Sequence, residues 1–287
     1  MKPSQSEFHI VRGLRYHVRT WGDARRPRLF LLHGWMDVAA SFQFLVDAFE
    51  RDWHVVAPDW RGFGLSAWAS AGYWFPDYYA DLDALLDLYQ PSPVNLVGHS
   101  MGGNIACTYA GVRPERIAKL VTLEGLGMPR TDPESAPKRM VEWLDGLRDP
   151  PRFKPYASFD EVAQRLRRNN PRLDEDKAQF LARHWAAETA NGSIEMLSDP
   201  THKGRNPYLF RVDEALASWR RITAPTLLVT GKDSHIVKWL KDVPEQMAER
   251  KAAFKDLREV ELEDCGHMMH HDQPARLARL IEDFVVA

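Results

Sequence analysis

The 287-residue sequence predicts an α/β fold: a mostly parallel sheet flanked by helices, interrupted by one helical insert. Three observations predict it. Short apolar runs recur along the chain, most of them ending in glycine or a polar residue. Amphipathic helical patterns lie between them. That rhythm stops between about Met128 and Val212, where helical periodicity continues without a convincing strand.

The elements follow in order. Phe8–Trp21 alternates and is rich in β-branched and aromatic residues, which predicts a hairpin. Arg28–Gly34 (RLFLLHG), Trp53–Asp59 (WHVVAPD) and Val94–Ser100 (VNLVGHS) read as strands buried on both faces. Ile117–Gly125, Ala224–Gly231 and Leu257–His267 supply three more. Helices are expected at Ser41–Phe49, Tyr78–Tyr89, Asn104–Val112 and Pro274–Val285. Inside the insert, Phe159–Asn170 and Asp176–Glu188 carry helical spacing, and the basic run RLRRNNPR reads as a solvated helix face.

Composition narrows the function classes. With 44% hydrophobic residues the chain can bury a large core. The 38 basic and 40 acidic residues leave a net charge of −2, so no strong field recommends nucleic acid or an anionic membrane as partner. The two cysteines, Cys107 and Cys265, form neither a disulfide framework nor a metal-ligand pattern, which points to a reducing compartment. The start, MKPSQSEFHIVRG, lacks the apolar stretch of a signal peptide. No run approaches the roughly 20 apolar residues of a membrane helix. A soluble, cytoplasmic protein acting on a small molecule is therefore expected. No metal or organic cofactor is implied.

Open parallel sheets bind ligands beyond the carboxyl ends of their strands. The polar residues expected there are His33, Asp59, Ser100, Glu124, Asp233 and His267. Ser100 lies in Gly98–Gly102, which fits G-x-S-x-G between a strand and a helix. Glycines on both sides permit a sharp turn, and the following helix points its N-terminus at the serine. A serine hydroxyl needs a base to become a nucleophile. His267 follows the glycine after the last strand; His270 and His271 lie further on, toward the final helix. The order serine, acid, histidine is that of a hydrolytic triad. Two strand ends offer the acid: Glu124 and Asp233.

On these motifs the chain resembles the α/β-hydrolase superfamily. The likeness rests on HGW at His33–Trp35, DWRGFGLS at Asp59–Ser66, GHSMGG at Gly98–Gly103, GKDSHIV at Gly231–Val237 and GHMMHHDQP at Gly266–Pro274. HGWMDVAASF is also similar to serine-hydrolase-like members. The resemblance implies an eight-stranded, mostly parallel sheet with a helical cap inserted after the sixth strand. The core then spans 1–127 and 213–287, and the cap 128–212. It also implies backbone N–H groups of Trp35 and Met101 as the oxyanion hole.

One departure decides the acid. The usual position after the seventh strand holds Ser234, with Asp233 one residue early. Some relatives carry a Glu after the sixth strand instead, so Glu124 is the expected acid and Asp233 the alternative. His33 and His99 are expected to pack and support rather than react, and Asp59 and Arg61 to brace the DWRGFG loop. The serine excludes haloalkane dehalogenase and epoxide hydrolase chemistry, which needs Asp at this corner. Ester hydrolysis through an acyl-enzyme is the expected reaction. Thioester, carbon–carbon and perhydrolytic chemistry on the same triad, or a non-catalytic small-molecule receptor, are the alternatives. Trp35, Trp74, Trp143 and Trp185 are expected around the substrate.

Overall fold

Alternating residues at the N-terminus form the expected hairpin: β1 (Ser4–Val11) and β2 (Leu14–Trp21) pair antiparallel. Arg12 and Gly13 connect them, both at positive φ (48° and 80°), as a two-residue turn matched to strand twist requires. The computed structural model describes residues 1–90, 92–236 and 243–287. Val237, the last residue of the GKDSHIV motif, lies outside the described residues.

The next strands are β3 (Arg28–Leu32), β4 (His54–Pro58), β5 (Val94–His99) and β6 (Ile117–Leu123). After them come a short pair in the insert, β7 (Ala186–Glu188) and β8 (Ile194–Met196), then β9 (Thr226–Gly231) and β10 (Leu257–Leu262). The main sheet has eight strands in the order β1-β2-β4-β3-β5-β6-β9-β10. β2 meets β4 antiparallel; from β4 to β10 every pairing is parallel.

Helices cover both faces, so the inner strands read as continuous apolar runs. On one face α2 (Phe75–Tyr89), α3 (Met101–Val112) and α7 (Val212–Trp219) bury Leu82, Ile105 and Trp219 against Phe30 and Leu96. On the other, α1 (Gln43–Ala48) and the last helix, Pro274–Val286, bury Leu45, Leu277 and Ile281 against Leu31 and Val97. At the edge, β10 exposes Arg258, Glu259 and Glu261, which discourages edge-to-edge pairing with another chain.

Between β6 and α7 lie α4 (Ala136–Arg148), α5 (Phe159–Asn169) and α6 (Glu175–Trp185). Ser158 and Asp174 start α5 and α6 by accepting the N–H groups of Glu161 and Lys177. Their apolar stripes form a separate core of Val162, Leu166, Ala178, Leu181 and Ile194, into which Phe44 projects from α1. The β7–β8 ribbon corrects the expectation of a strand-free insert. Each strand has three residues, too few for alternation to register in the sequence.

The insert docks on the DWRGFG loop. Gly64 N–H donates to Leu197 O (2.7 Å), Asp199 N–H to Gly62 O (2.8 Å), and His202 stacks on Phe63. The loop is braced from below. Asp59 accepts from His17 Nδ1 (2.7 Å), Ala39 N–H (2.6 Å) and Leu65 N–H (2.9 Å), while Arg61 grips Asp81 through two hydrogen bonds (2.6 and 2.7 Å).

Burial pushes the pKa of His202 down to about 4 against the pull of Asp199. Below about pH 6.5 the unfolded chain protonates this histidine, whereas the folded chain resists until about pH 4. Stability is therefore expected to fall as pH drops through that window, by about 1–3 kcal/mol from this group. Urea unfolding of His202→Gln between pH 7 and 4 checks this: the variant's stability should depend less on pH. An equal slope in both proteins would contradict it.

Candidate active site at the carboxyl ends of the strands

β5 stops at His99, and Ser100 turns the chain into α3 with φ 51° and ψ −113°. That combination lies outside the allowed regions for a side-chain-bearing residue and persists only where the surroundings enforce it. Two close approaches enforce it. A Cβ on Gly98 would overlap the carbonyl of Gly102, and one on Gly102 would overlap the carbonyl of Leu32. Ser100 N–H donates to Leu123 O (2.8 Å), and Ser100 O accepts from Asn104 N–H (2.9 Å), which starts the helix. The serine is thus partly exposed at the head of α3, where free N–H groups and the helix dipole favour negative charge.

Gly34 lies against this corner. A methyl group built on it would sit 3.3 Å from Ser100 Cβ. The peptide between Gly34 and Trp35 therefore runs beside the nucleophile position. The Trp35 side chain is 52% exposed.

His267 follows β10 and meets Glu124, the residue just after β6. Nδ1–H donates to Glu124 Oε2 at 2.6 Å. This bond places the proton on Nδ1 and leaves Nε2 as the acceptor. Glu124 itself has φ 56°, and its buried carboxylate takes two further hydrogen bonds. Gly231 N–H donates to Oε1 (2.8 Å), and Ser234 Oγ–H to Oε2 (2.7 Å). Asp233 points elsewhere: it pairs with Arg172 at 2.7 Å, with its side chain 43% exposed. The structure thus joins Glu124, not Asp233, to His267. Ser100 Oγ makes no hydrogen bond among the described residues, although the neighbouring His99 ring lies 4.6 Å from that of His267, centre to centre.

The other histidines support this edge. His33 is fully buried; it donates from Nδ1 to Gly34 O (2.8 Å) and accepts Trp60 N–H at Nε2 (2.9 Å). Burial lowers its pKa, so it stays neutral. His99 Nε2–H donates to the carbonyl of His267 (2.8 Å), and burial holds its pKa well below the usual histidine range. His270 and His271 lie on the short helix Met269–Asp272, both against Ser41 Oγ (3.1 and 2.6 Å).

The four tryptophans separate. Trp74 and Trp143 line a cleft of about 470 Å³, with Leu147, Pro150 and Arg205 among its other walls. Trp35 and Trp185 are not among its walls. Trp185 continues the apolar stripe of Ala178, Leu181 and Ala182 and packs against the insert's own core. Sequence reasoning gave Ser234 no role beyond its departure from the usual acid, although its place in GKDSHIV marks it as facing the histidine.

Residues 27–274 match the family model of the alpha/beta hydrolase fold. The chain belongs to the α/β-hydrolase family. Among curated proteins, this α/β-hydrolase is 26% identical to the serine hydrolase-like protein of Danio rerio, covering 99% of this chain and 90% of the relative. It is 30% identical to the 3-hydroxybutyrate-oligomer hydrolase of Cupriavidus necator, covering 92% and 90%. Among solved structures, the thioesterase domain from the curacin biosynthetic pathway superposes with a TM-score of 0.86 at 27% identity, covering 98% and 99%. Family and relatives together support hydrolase activity. Among the described residues no helix is long and apolar enough to cross a membrane.

Proposed function

We propose that this α/β-hydrolase cleaves small or medium carboxylic esters through an acyl-enzyme. Ser100 is the nucleophile, His267 the proton shuttle and Glu124 the acid. One observation carries the reading. A strained serine at a helix head shares its sheet edge with a histidine whose Nδ1–H is held by a buried glutamate at 2.6 Å.

The chemistry follows from that arrangement. Ser100 Oγ attacks the ester carbonyl while His267 Nε2 takes its proton. Negative charge develops on the carbonyl oxygen, where the N–H groups of Trp35 and Met101 stabilise it; fixed donors need no reorganisation. Glu124 stabilises the imidazolium. His267 then protonates the departing alcohol, activates a water and returns Ser100 free. The insert acts as a lid, and the apolar part of the substrate lies beneath it.

A panel of p-nitrophenyl esters from acetate to laurate, with matching thioesters and emulsified triglyceride, tests this. The thioesters are included because the superposed curacin domain is a thioesterase. Peak kcat/KM on a short or medium ester supports the reading. Activity that rises steadily with chain length up to emulsified fat overturns the substrate class, and a preference for thioesters overturns the bond type.

A further inference from the structure

We propose that Asp37, His99 and His270 form a buried site for one divalent transition-metal ion of the zinc or cobalt class. The site is separate from the proposed triad. Asp37 lies in the loop after β3, His99 ends β5, and His270 sits on the helix Met269–Asp272. One carboxylate oxygen and one ring nitrogen from each histidine lie within 4.8 Å of one another. Their residues are 2%, 1% and 0% exposed.

Each residue has one polar atom held and one bare. Asp37 Oδ1 accepts Val38 N–H (2.9 Å), and Oδ2 has no hydrogen-bond partner. His99 Nε2–H donates to the His267 carbonyl, and Nδ1 has no partner. His270 Nε2 meets Ser41 Oγ (3.1 Å), and Nδ1 has no partner. Buried polar atoms left unsatisfied are rare. Asp37 Oδ2 does lie 3.6 Å from His270 Nε2, an ion-pair distance too long for a hydrogen bond. A cation would satisfy all three unpartnered atoms at once.

The donor set and its surroundings fit. Two imidazoles and a carboxylate suit zinc and its neighbours, leaving a further position for water. Metal-binding histidines usually have their second nitrogen held by a carbonyl or another oxygen, as the His267 carbonyl holds His99. Ligands about 2.0–2.2 Å from a tetrahedral ion lie about 3.3–3.6 Å apart, so binding would draw these atoms, now within 4.8 Å of one another, closer together. Ligation of His99 would stiffen the segment carrying His267, to which it is hydrogen-bonded. No motif spacing links positions 37, 99 and 270, so the sequence offers no metal signature.

The test is titration of the chelator-treated full chain with Co²⁺, read by visible absorption, and with Zn²⁺, read by calorimetry and thermal unfolding. The comparison proteins are Asp37→Asn, His270→Gln and His235→Gln. The expected result is one ion per chain, a higher Tm with metal, and affinity at least about tenfold weaker in Asp37→Asn and His270→Gln. His235→Gln should bind like the parent. Circular dichroism identifies a variant that fails to fold, in which case the other ligand variant decides. Absence of stoichiometric binding by the parent overturns the proposal. Binding that survives both ligand variants but is lost in His235→Gln overturns it too, placing the ion on the exposed His235 beside His267.

Discussion

Ser100→Ala is expected to lower kcat on activated esters by about 10⁴–10⁶-fold. The substitution removes the only atom proposed to form the acyl bond. It leaves the corner otherwise intact, because the turn rests on the close approaches at Gly98 and Gly102, not on the hydroxyl. A fluorophosphonate probe should add to the parent chain at one site and leave Ser100→Ala unlabelled, as read by intact-mass spectrometry. Equal labelling of both proteins would remove Ser100 from the reaction. A parent chain that is neither labelled nor active, yet binds a small ligand tightly, would make the protein a receptor on this fold.

Glu124→Gln is expected to lower kcat by about 10³–10⁴-fold, with KM changed little. The amide preserves shape but cannot carry the charge that stabilises a protonated His267. Its NH₂ group can also face Nδ1–H, which would turn the ring or its tautomer. Asp233→Asn should stay within about threefold of the parent. Asp233 is part of an exposed ion pair with Arg172, and such pairs contribute about 0–1 kcal/mol. Steady-state kinetics on the best ester compares the two variants. Collapse in Asp233→Asn with activity kept in Glu124→Gln would reverse the assignment.

How far the residues alone reveal this molecule depends on whether the determining contacts are local. The inner strands were legible because burial on both faces demands unbroken apolar runs, as in Leu29–Leu32 and Val55–Ala57. The corner at Ser100 was legible because its glycines and its strand-to-helix context are adjacent in sequence. The acid was nearly so: a one-residue displacement at Asp233 implied that its side chain misses His267, and in the structure it pairs with Arg172 instead. The eight-stranded count came from resemblance, and the strand order is seen only in the structure, since periodicity says nothing about which strands are neighbours.

Other features were hidden for physical reasons. The ribbon at Ala186–Met196 is shorter than the alternation that would announce it. The packing of Trp185 against the insert's core is not legible either, because bulky aromatics serve cores and ligands equally. The grouping of Asp37, His99 and His270 depends on a loop, a strand end and a short helix meeting in space.

The packing at Gly98 and Gly102 has a consequence for anyone who wishes to redirect this enzyme by directed evolution. At these positions every side chain collides with a backbone carbonyl, so random libraries spread over the corner would consist mostly of unfolded clones. Diversity is better spent away from it, for example at Trp74, Trp143 and Leu147, which line a cleft whose walls include no residue of the corner. The corner is the part of the chain to hold fixed while others are varied.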